Sequence, residues 1–344
     1  MSQIPADLLE FMETLRVPQG VNPAEMLTKY DELMNGNPPP VGAAHDGVLL
    51  REVAGWRLTA DIAVPVGAGP HPVLVYFHGG GWTMGSPKTH LRVGREFAAA
   101  GYLTLNLDYR RAPKHRFPAA FEDCLFATHW AVEHAARYGG DPQRLAVGGD
   151  SAGGNLAAAV LAECSQKGGP PIRAGVLIYG VFDYHRTISA LGGTGPDSQF
   201  YLPADQYEAL RGDYRVSPLY ACTKFPPCYI GVGTRDPLLP ESLTLAKALT
   251  AADIEHDLHV IEGAPHGFFQ LTPLPAYAEG YSRARAFLDR HLMVDRNHRD
   301  PQSPHFFEAL RFQRCVVAAM VTDFVEDRVL EKVWPGDGLG VHRP

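Results

Sequence analysis

Ser151 lies in the run L-A-V-G-G-D-S-A-G-G-N-L-A-A-A-V, where an apolar strand pattern breaks at glycines and gives way at once to an alanine-rich helix pattern. A serine on so sharp a strand-to-helix turn needs small neighbours, because side chains there would collide across the turn, and Gly149 and Gly153 meet that need. The helix behind it would aim unpaired N–H groups, and the positive end of its dipole, at the serine. These are the requirements of a nucleophile in acyl transfer. Upstream, the apolar run Pro72 to Phe77 enters His78, Gly79, Gly80, Gly81 and Trp82, and such bare backbone could offer amides to a developing oxyanion. The Gly80, Gly81 and Ala152 amides form the natural donor set.

Two more chemical groups follow the serine. Y-I-G-V-G-T-R-D-P-L-L ends an apolar strand at Asp236, and H-V-I-E-G-A-P-H-G-F ends another at His266. Functional groups in open parallel sheets gather at the carboxyl ends of strands, so distance along the chain does not prevent Ser151, Asp236 and His266 from meeting. His266 would take the serine proton through one ring nitrogen, while Asp236 accepts from the other and fixes the tautomer. Taken singly, each residue has a structural alternative: a flexible turn for the glycines, the turn before Pro237 for Asp236, and membership among 15 histidines for His266. The ordered combination is what points to catalysis. Glu241 and Glu262 stand as other carboxylates that could orient the histidine.

These motifs resemble the hormone-sensitive-lipase-like branch of the α/β-hydrolases, the bacterial carboxylesterases with H-G-G-G and G-D-S-A-G signatures. The resemblance rests on His78 to Trp82, Asp108 to Ala120, Gly149 to Asn155, Asp236 to Leu238 and His266 to Phe268, and spans roughly residues 40 to 292. It implies an α/β-hydrolase fold with a helical cap, and catalytic roles for Ser151, Asp236 and His266 with the Gly80, Gly81 and Ala152 amides as oxyanion hole. It also implies short acyl esters, of about two to eight carbons, because a covered pocket takes a limited apolar chain. Where many relatives carry a second acidic residue shortly after the catalytic aspartate, this chain has Leu239, Pro240 and Glu241.

Elements able to position these groups are legible around them. Strand patterns near 47–53, 57–64, 72–77, 103–107, 145–148, 174–179, 228–232 and 256–261 alternate, after the first pair, with helix patterns over Phe121 to Tyr138, Ala152 to Cys164, and near 241–251 and 276–291. This repetition predicts an eight-stranded, mostly parallel α/β sheet covered on both faces. Ile4 to Leu15 and a stretch opening at Asn22-Pro23 read as amphipathic helices, and the resemblance implies that residues 1–45 form the amino-terminal part of the cap. Residues 46–292 form the expected catalytic domain. Within it, about 183–216 breaks the rhythm with glycines, prolines and aromatics and reads as the cap insertion. Trp82, Phe200, Tyr201 and Phe268 are the expected pocket residues, with packing inside the cap as the alternative for the aromatics of the insertion. Residues 293–344 form an extension, with Ser303-Pro304 opening a helix to about Val333; its stripe of Leu310, Val317, Val321 and Phe324 would dock on the chain itself or on a second copy, giving a homo-oligomer, unless the tail is poorly ordered.

Composition bounds the remainder. A chain of 344 residues with 45% hydrophobic content can bury one large core and a small accessory layer. The formal charge of −7 gives no electrostatic reason to collect nucleic acid, and the run Arg110 to Arg116 reads as a solvated loop. The longest apolar tract, Cys315 to Val321, is far short of the about 18 residues of a membrane span. Five scattered cysteines with no C-x-x-C pair suggest neither a disulfide framework nor zinc, and with no basic, apolar leader at the amino terminus they predict a cytoplasmic protein. Cys124 reads as a core residue of its helix. Neither a P-loop nor a dinucleotide fingerprint is present, so no cofactor or metal is expected. The function read here is serine carboxylesterase action on a small-molecule ester, with amidase or formamidase action, or a non-enzymatic ligand receptor, as the alternatives.

Overall fold

Val73, Val75 and Phe77 alternate with Leu74 and Tyr76 along a seven-residue strand, and all five are buried, so this strand must be covered on both faces. It is the third strand of the sheet in a computed structural model that describes residues 34–190, 200–272 and 274–293. The strands are β1 (Ala43–Val53), β2 (Trp56–Val64), β3 (His71–Phe77), β4 (Leu103–Asp108), β5 (Gly140–Asp150), β6 (Ile172–Ile178), β7 (Cys228–Arg235) and β8 (His256–Pro265). They lie in the order β1-β2-β4-β3-β5-β6-β7-β8, parallel from β4 onward, with the β1–β2 and β2–β4 pairs antiparallel. β1 begins ahead of the expected boundary at residue 46 because its pairing with β2 continues to Ala43 opposite Val64.

The helices are α1 (Leu91–Ala99), α2 (Ala119–His134), α3 (Ala152–Lys167), α4 (Tyr184–Ala190), α5 (Tyr207–Leu210), α6 (Leu239–Ala251) and α7 (Pro275–Leu288). α2, α3 and α6 pack on one face of the sheet, where Val73, Val75 and Phe77 meet Phe121, Leu156 and Leu245. α1 and α7 cover the other, where Leu74 and Tyr76 join Phe97, Ala284 and Phe287. α3 is buried from Ala152 through Ala162, and its alanine content lets it lie close beneath the centre of the sheet.

The chain divides between Met293 and Val294. The expected helix over residues 4–15, the expected second helix from its start at Asn22-Pro23 through residue 33, all of the expected helix over 303–333 and residues 191–199 of the expected insertion lie outside the described residues. Cys124 is fully buried in α2, as expected. The Arg110–Arg116 run is not a solvated loop at its start. Arg110 is buried because Asp123 of α2 accepts from its Nε (2.8 Å), its Nη2 (2.9 Å) and its backbone N–H (3.0 Å), neutralising a charge that sequence alone leaves without a partner.

Candidate active site

β5 ends at Asp150 and α3 begins at Ala152, so the reversal between them falls on Ser151. Its φ of 55° and ψ of −119° are sparsely populated for a residue with a side chain, a strain of about 1–3 kcal/mol that the surroundings must impose. They do so through hydrogen bonds from the Ser151 N–H to the Ile178 carbonyl (2.9 Å) and from the Asn155 N–H to the Ser151 carbonyl (3.1 Å).

Asp236 follows β7 directly. Its Oδ1 accepts the Leu238 N–H at 2.8 Å, leaving Oδ2 to accept from Nδ1 of His266 at 2.9 Å. A carboxylate can only accept, so the ring hydrogen is on Nδ1 and the lone pair of Nε2 faces Ser151 Oγ at 3.0 Å. Burial disfavours the imidazolium, but the hydrogen bond and charge of Asp236, with the charge of Asp150 in support, outweigh it and hold His266 above the ordinary histidine range. The His266 ring rests against Tyr179, centroid to centroid 4.7 Å.

Beyond β3, the Gly80 carbonyl accepts the Thr83 and Met84 amides at 3.1 and 2.9 Å, closing a tight turn. Gly80 has φ +121°, and a Cβ there would lie 2.4 Å from the Met84 carbonyl oxygen, so the turn requires glycine. Among the described residues neither the Gly80 nor the Gly81 amide has an intramolecular acceptor. The arrangement can move a proton from Ser151 to His266 beside unengaged backbone donors.

A cavity of about 340 Å³ opens at Ser151 and His266. Gly81, Trp82 and Thr83 wall it on the glycine-loop side, Pro237 and Leu238 come from the turn after Asp236, and Val181, Tyr184, Thr187, Ile188, Phe200 and Tyr201 come from the stretch between β6 and β7. Of the expected pocket residues, Trp82, Phe200 and Tyr201 lie on this wall. Phe268 does not. Two residues past His266 the chain has already turned onto α7, and Phe268 is fully buried edge-on to Tyr179, in contact distance of Gly280. A position after a catalytic histidine does not reveal which way that turn runs.

The two aromatic neighbours from the expected insertion differ in burial. Tyr201 is 2% exposed and stacks on Trp82 at 4.6 Å, whereas Phe200 is 58% exposed. Tyr201→Ala should therefore lower unfolding free energy by about 3 kcal/mol and shift the preferred acyl length, while Phe200→Ala changes stability by less than about 0.5 kcal/mol. Denaturant unfolding and an ester chain-length series measure both; equal stability losses would contradict the difference in packing.

Several residues to which the motifs assign no role hold the site in place. Asp150 accepts from Tyr76 Oη (2.9 Å) and the Gly79 N–H (3.1 Å), tying the glycine loop to the strand that carries Ser151. Glu241 is the buried acceptor of the Phe182 and Asp183 amides at 2.7 and 2.6 Å. Burial raises its pKa against the lowering effect of those amides. It thus anchors the stretch after β6 and does not orient His266; Glu262, which accepts from Thr234 Oγ1 on the surface, does not either. Asn155 accepts the Trp82 indole N–H. Asp150 and Asn155 stand inside the Gly149 to Asn155 motif and Glu241 among the candidate carboxylates, but none of these signals names the distant partner that each one holds.

A strand-elbow-helix serine with a histidine and an aspartate from later strand ends defines a serine hydrolase on an α/β sheet. A family model described as α/β hydrolase fold matches residues 74–270, and the chain belongs to that family, in its hormone-sensitive-lipase-like branch. It is 34% identical to carboxylesterase NlhH of Mycobacterium tuberculosis over 241 residues, 64% of this chain and 74% of the relative. It is 39% identical to the carboxylic ester hydrolase LipN of the same organism over 230 residues, 61% of this chain and 60% of the relative. Among solved structures it is similar to an esterase of Pyrobaculum calidifontis, with a TM-score of 0.70, 26% identity and coverage of 84% of this chain and 100% of the other. EstE1, a thermostable carboxylesterase from a metagenomic library, gives a TM-score of 0.67 at 28% identity, covering 80% and 99%.

Proposed function

We propose that the protein is a serine carboxylesterase acting on neutral, short- to medium-chain esters, with Ser151 as nucleophile, His266 as general base and acid, and Asp236 as the carboxylate that orients it. The observation that carries this reading is the continuous hydrogen-bonded path from Asp236 through His266 to Ser151 at the mouth of an apolar cavity. Ser151 Oγ attacks the carbonyl carbon as its proton passes to Nε2, and the carbonyl oxygen, now negative, is received by the Gly80, Gly81 and Ala152 amides. Collapse breaks the C–O bond to the alcohol, which leaves with the proton from Nε2. Water then attacks the acyl-enzyme, giving its proton to His266, and the carboxylic acid departs as Ser151 regains a proton. Apart from His266, the described wall carries no ionisable acid or base other than tyrosine, which favours an uncharged acyl or alcohol group.

A panel of matched esters and amides over several acyl lengths, with organophosphonate labelling, tests the proposal. Ester turnover and covalent mass gain at Ser151 are expected. Turnover of amides alone would make the protein an amidase or formamidase, and an inert Ser151 with tight reversible binding would make it a receptor.

Activity should also report the pKa of His266. Catalysis needs the neutral ring, so kcat/KM should rise with pH to a plateau through an apparent pKa above the ordinary value of about 6.5. In Asp236→Asn the limb should move to lower pH, because burial then acts without the opposing carboxylate. The stability sign is opposite: a raised folded-state pKa contributes stability below the ordinary histidine value, lost as pH rises through the raised one. The acid limb should thus appear in a folded protein, checked by circular dichroism at each pH; a limb that tracks unfolding would refute the assignment.

Cys124, Cys164, Cys222 and Cys228 are free thiols, and no helix among the described residues is long and apolar enough to cross a membrane. The free thiols support placing the enzyme in the reducing cytoplasm.

A further inference from the structure

Asn155 stands one turn into α3 from Ser151 and its side chain is fully buried. Its Nδ2 donates to the carbonyl of Val181 at 2.7 Å and to that of Val216 at 2.9 Å, while Oδ1 accepts the indole N–H of Trp82 at 3.3 Å. Val181 lies just past the end of β6, and Val216 just ahead of the 3₁₀ turn Pro218–Lys224 that leads to β7. One amide group therefore grips both roots of the stretch that supplies six of the thirteen residues lining the cavity. The same amide holds Trp82, the first residue after the glycines, which sits at φ 60° and stacks on Tyr201 of that stretch. The contacts close a circuit from Asn155 to Trp82, to Tyr201, along the chain from Tyr201 to Val216, and back to Asn155.

The chemistry of the position is narrow. Two carbonyls and one N–H converge, so the group between them must donate twice and accept once at the reach of a single methylene. Asparagine does this in one orientation only, because the flipped amide would set its oxygen against two carbonyl oxygens and its NH₂ against the indole N–H. Aspartate offers no donor, and leucine would leave all three partners buried and unpaired.

We propose that Asn155 is a positioning residue that keys the described wall segments, residues 181–188 and 200–216, to the glycine loop, so that one buried amide sets both the acyl-size limit of the cavity and the alignment of the loop that carries the Gly81 amide. The inference rests on the esterase reading above. Without Asn155, Trp82 and the two roots are free to shift independently. The wall then no longer holds one size, and the donors at Gly80 and Gly81 lose the support of the residue beside them.

The test uses the full chain as wild type, Asn155→Ala, Trp82→Phe and the double variant. Active sites are titrated with a phosphonate, and kcat and KM are measured over esters from acetate to decanoate, with thermal unfolding recorded in parallel. Per titrated site, Asn155→Ala should lose roughly tenfold or more in kcat on the preferred ester and show a broader profile or one displaced to longer chains. Trp82→Phe, which removes the indole N–H, should displace the profile with a smaller loss. The double variant should be little worse than Asn155→Ala, because both changes break the same link. A purely structural asparagine would lower the melting temperature and leave the profile of the titrated enzyme unchanged; that result, or losses that simply multiply in the double variant, overturns the proposal. If Asn155→Ala does not fold, Trp82→Phe decides it, and an unchanged profile there overturns it too. A wild type that neither reacts with the phosphonate nor hydrolyses esters would instead sink the esterase reading, so the two failures are distinguishable.

Discussion

Ser151→Ala should leave a folded protein whose ester turnover is lost by about 10⁶-fold, the scale expected when the nucleophile of a serine triad is removed. The fold should survive because alanine keeps the Cβ that already stands at φ 55°, and the elbow is held by the backbone bonds to Ile178 and from Asn155, not by the hydroxyl. His266→Ala should be comparably severe. Asp236→Asn should cost about 10⁴-fold, because an amide in place of Oδ2 can present N–H to Nδ1 and favour the wrong tautomer. Glu262→Gln should be near wild type, its carboxylate being engaged with Thr234 at the surface. Kinetics on purified variants, with circular dichroism as the control for folding, measure the series. Near-normal turnover by a folded Ser151→Ala protein, or a larger loss in Glu262→Gln than in Asp236→Asn, would sink the assignment.

Gly153→Ala should be among the most destabilising single substitutions in the chain. A Cβ on Gly153 would lie 1.9 Å from the Phe77 carbonyl oxygen and 2.6 Å from that of His78. Both obstacles are backbone, at the end of β3 where the glycine loop begins, so no rotamer change relieves the clash. Helix propensity alone argues the other way, since alanine in place of a helical glycine gains about 1 kcal/mol. We expect overpacking to win, with a net loss above about 3 kcal/mol and slower phosphonate labelling of whatever folds, because the elbow and the loop must separate. Chemical denaturation gives the sign directly. A midpoint equal to or above that of wild type would mean that α3 does not approach β3 as closely as described.

These two substitutions fall on a motif that could be read without any coordinates, because residue types at short spacing mark it. The glycines flanking Ser151 mark a sharp turn in any sequence, with Gly149 crowded by Gly153 itself, and the turn stands between the buried apolar end of β5 and the alanine-rich start of α3; that the Phe77 and His78 carbonyls also press on Gly153 is visible only in the fold. β3 and β4, whose side chains alternate between two buried faces, were legible for the same reason. α1 was not: it spans nine residues, and His90 at its amino end makes no side-chain cap, so although Gly101 stands where a stop signal would, neither a start signal nor a long periodic stretch marks it. The first residues of β1 are exposed and carry no alternation; only pairing with β2 makes them a strand.

The sequence by itself determined the parallel α/β sheet, the elbow serine and the order in which the histidine and aspartate follow it, because each of these depends on residue type and short-range spacing. Tertiary structure decided which side chains face the cavity and what holds them there. Phe268 left the pocket for the core against Gly280, Arg110 left solvent for Asp123, Glu241 took the amides after β6, and Asn155 joined Trp82 to Val181 and Val216. In each case the deciding partner comes from another segment. A buried charge or amide must find such a partner to offset its lost hydration, but pattern along one segment cannot say which distant group the fold brings within hydrogen-bonding reach.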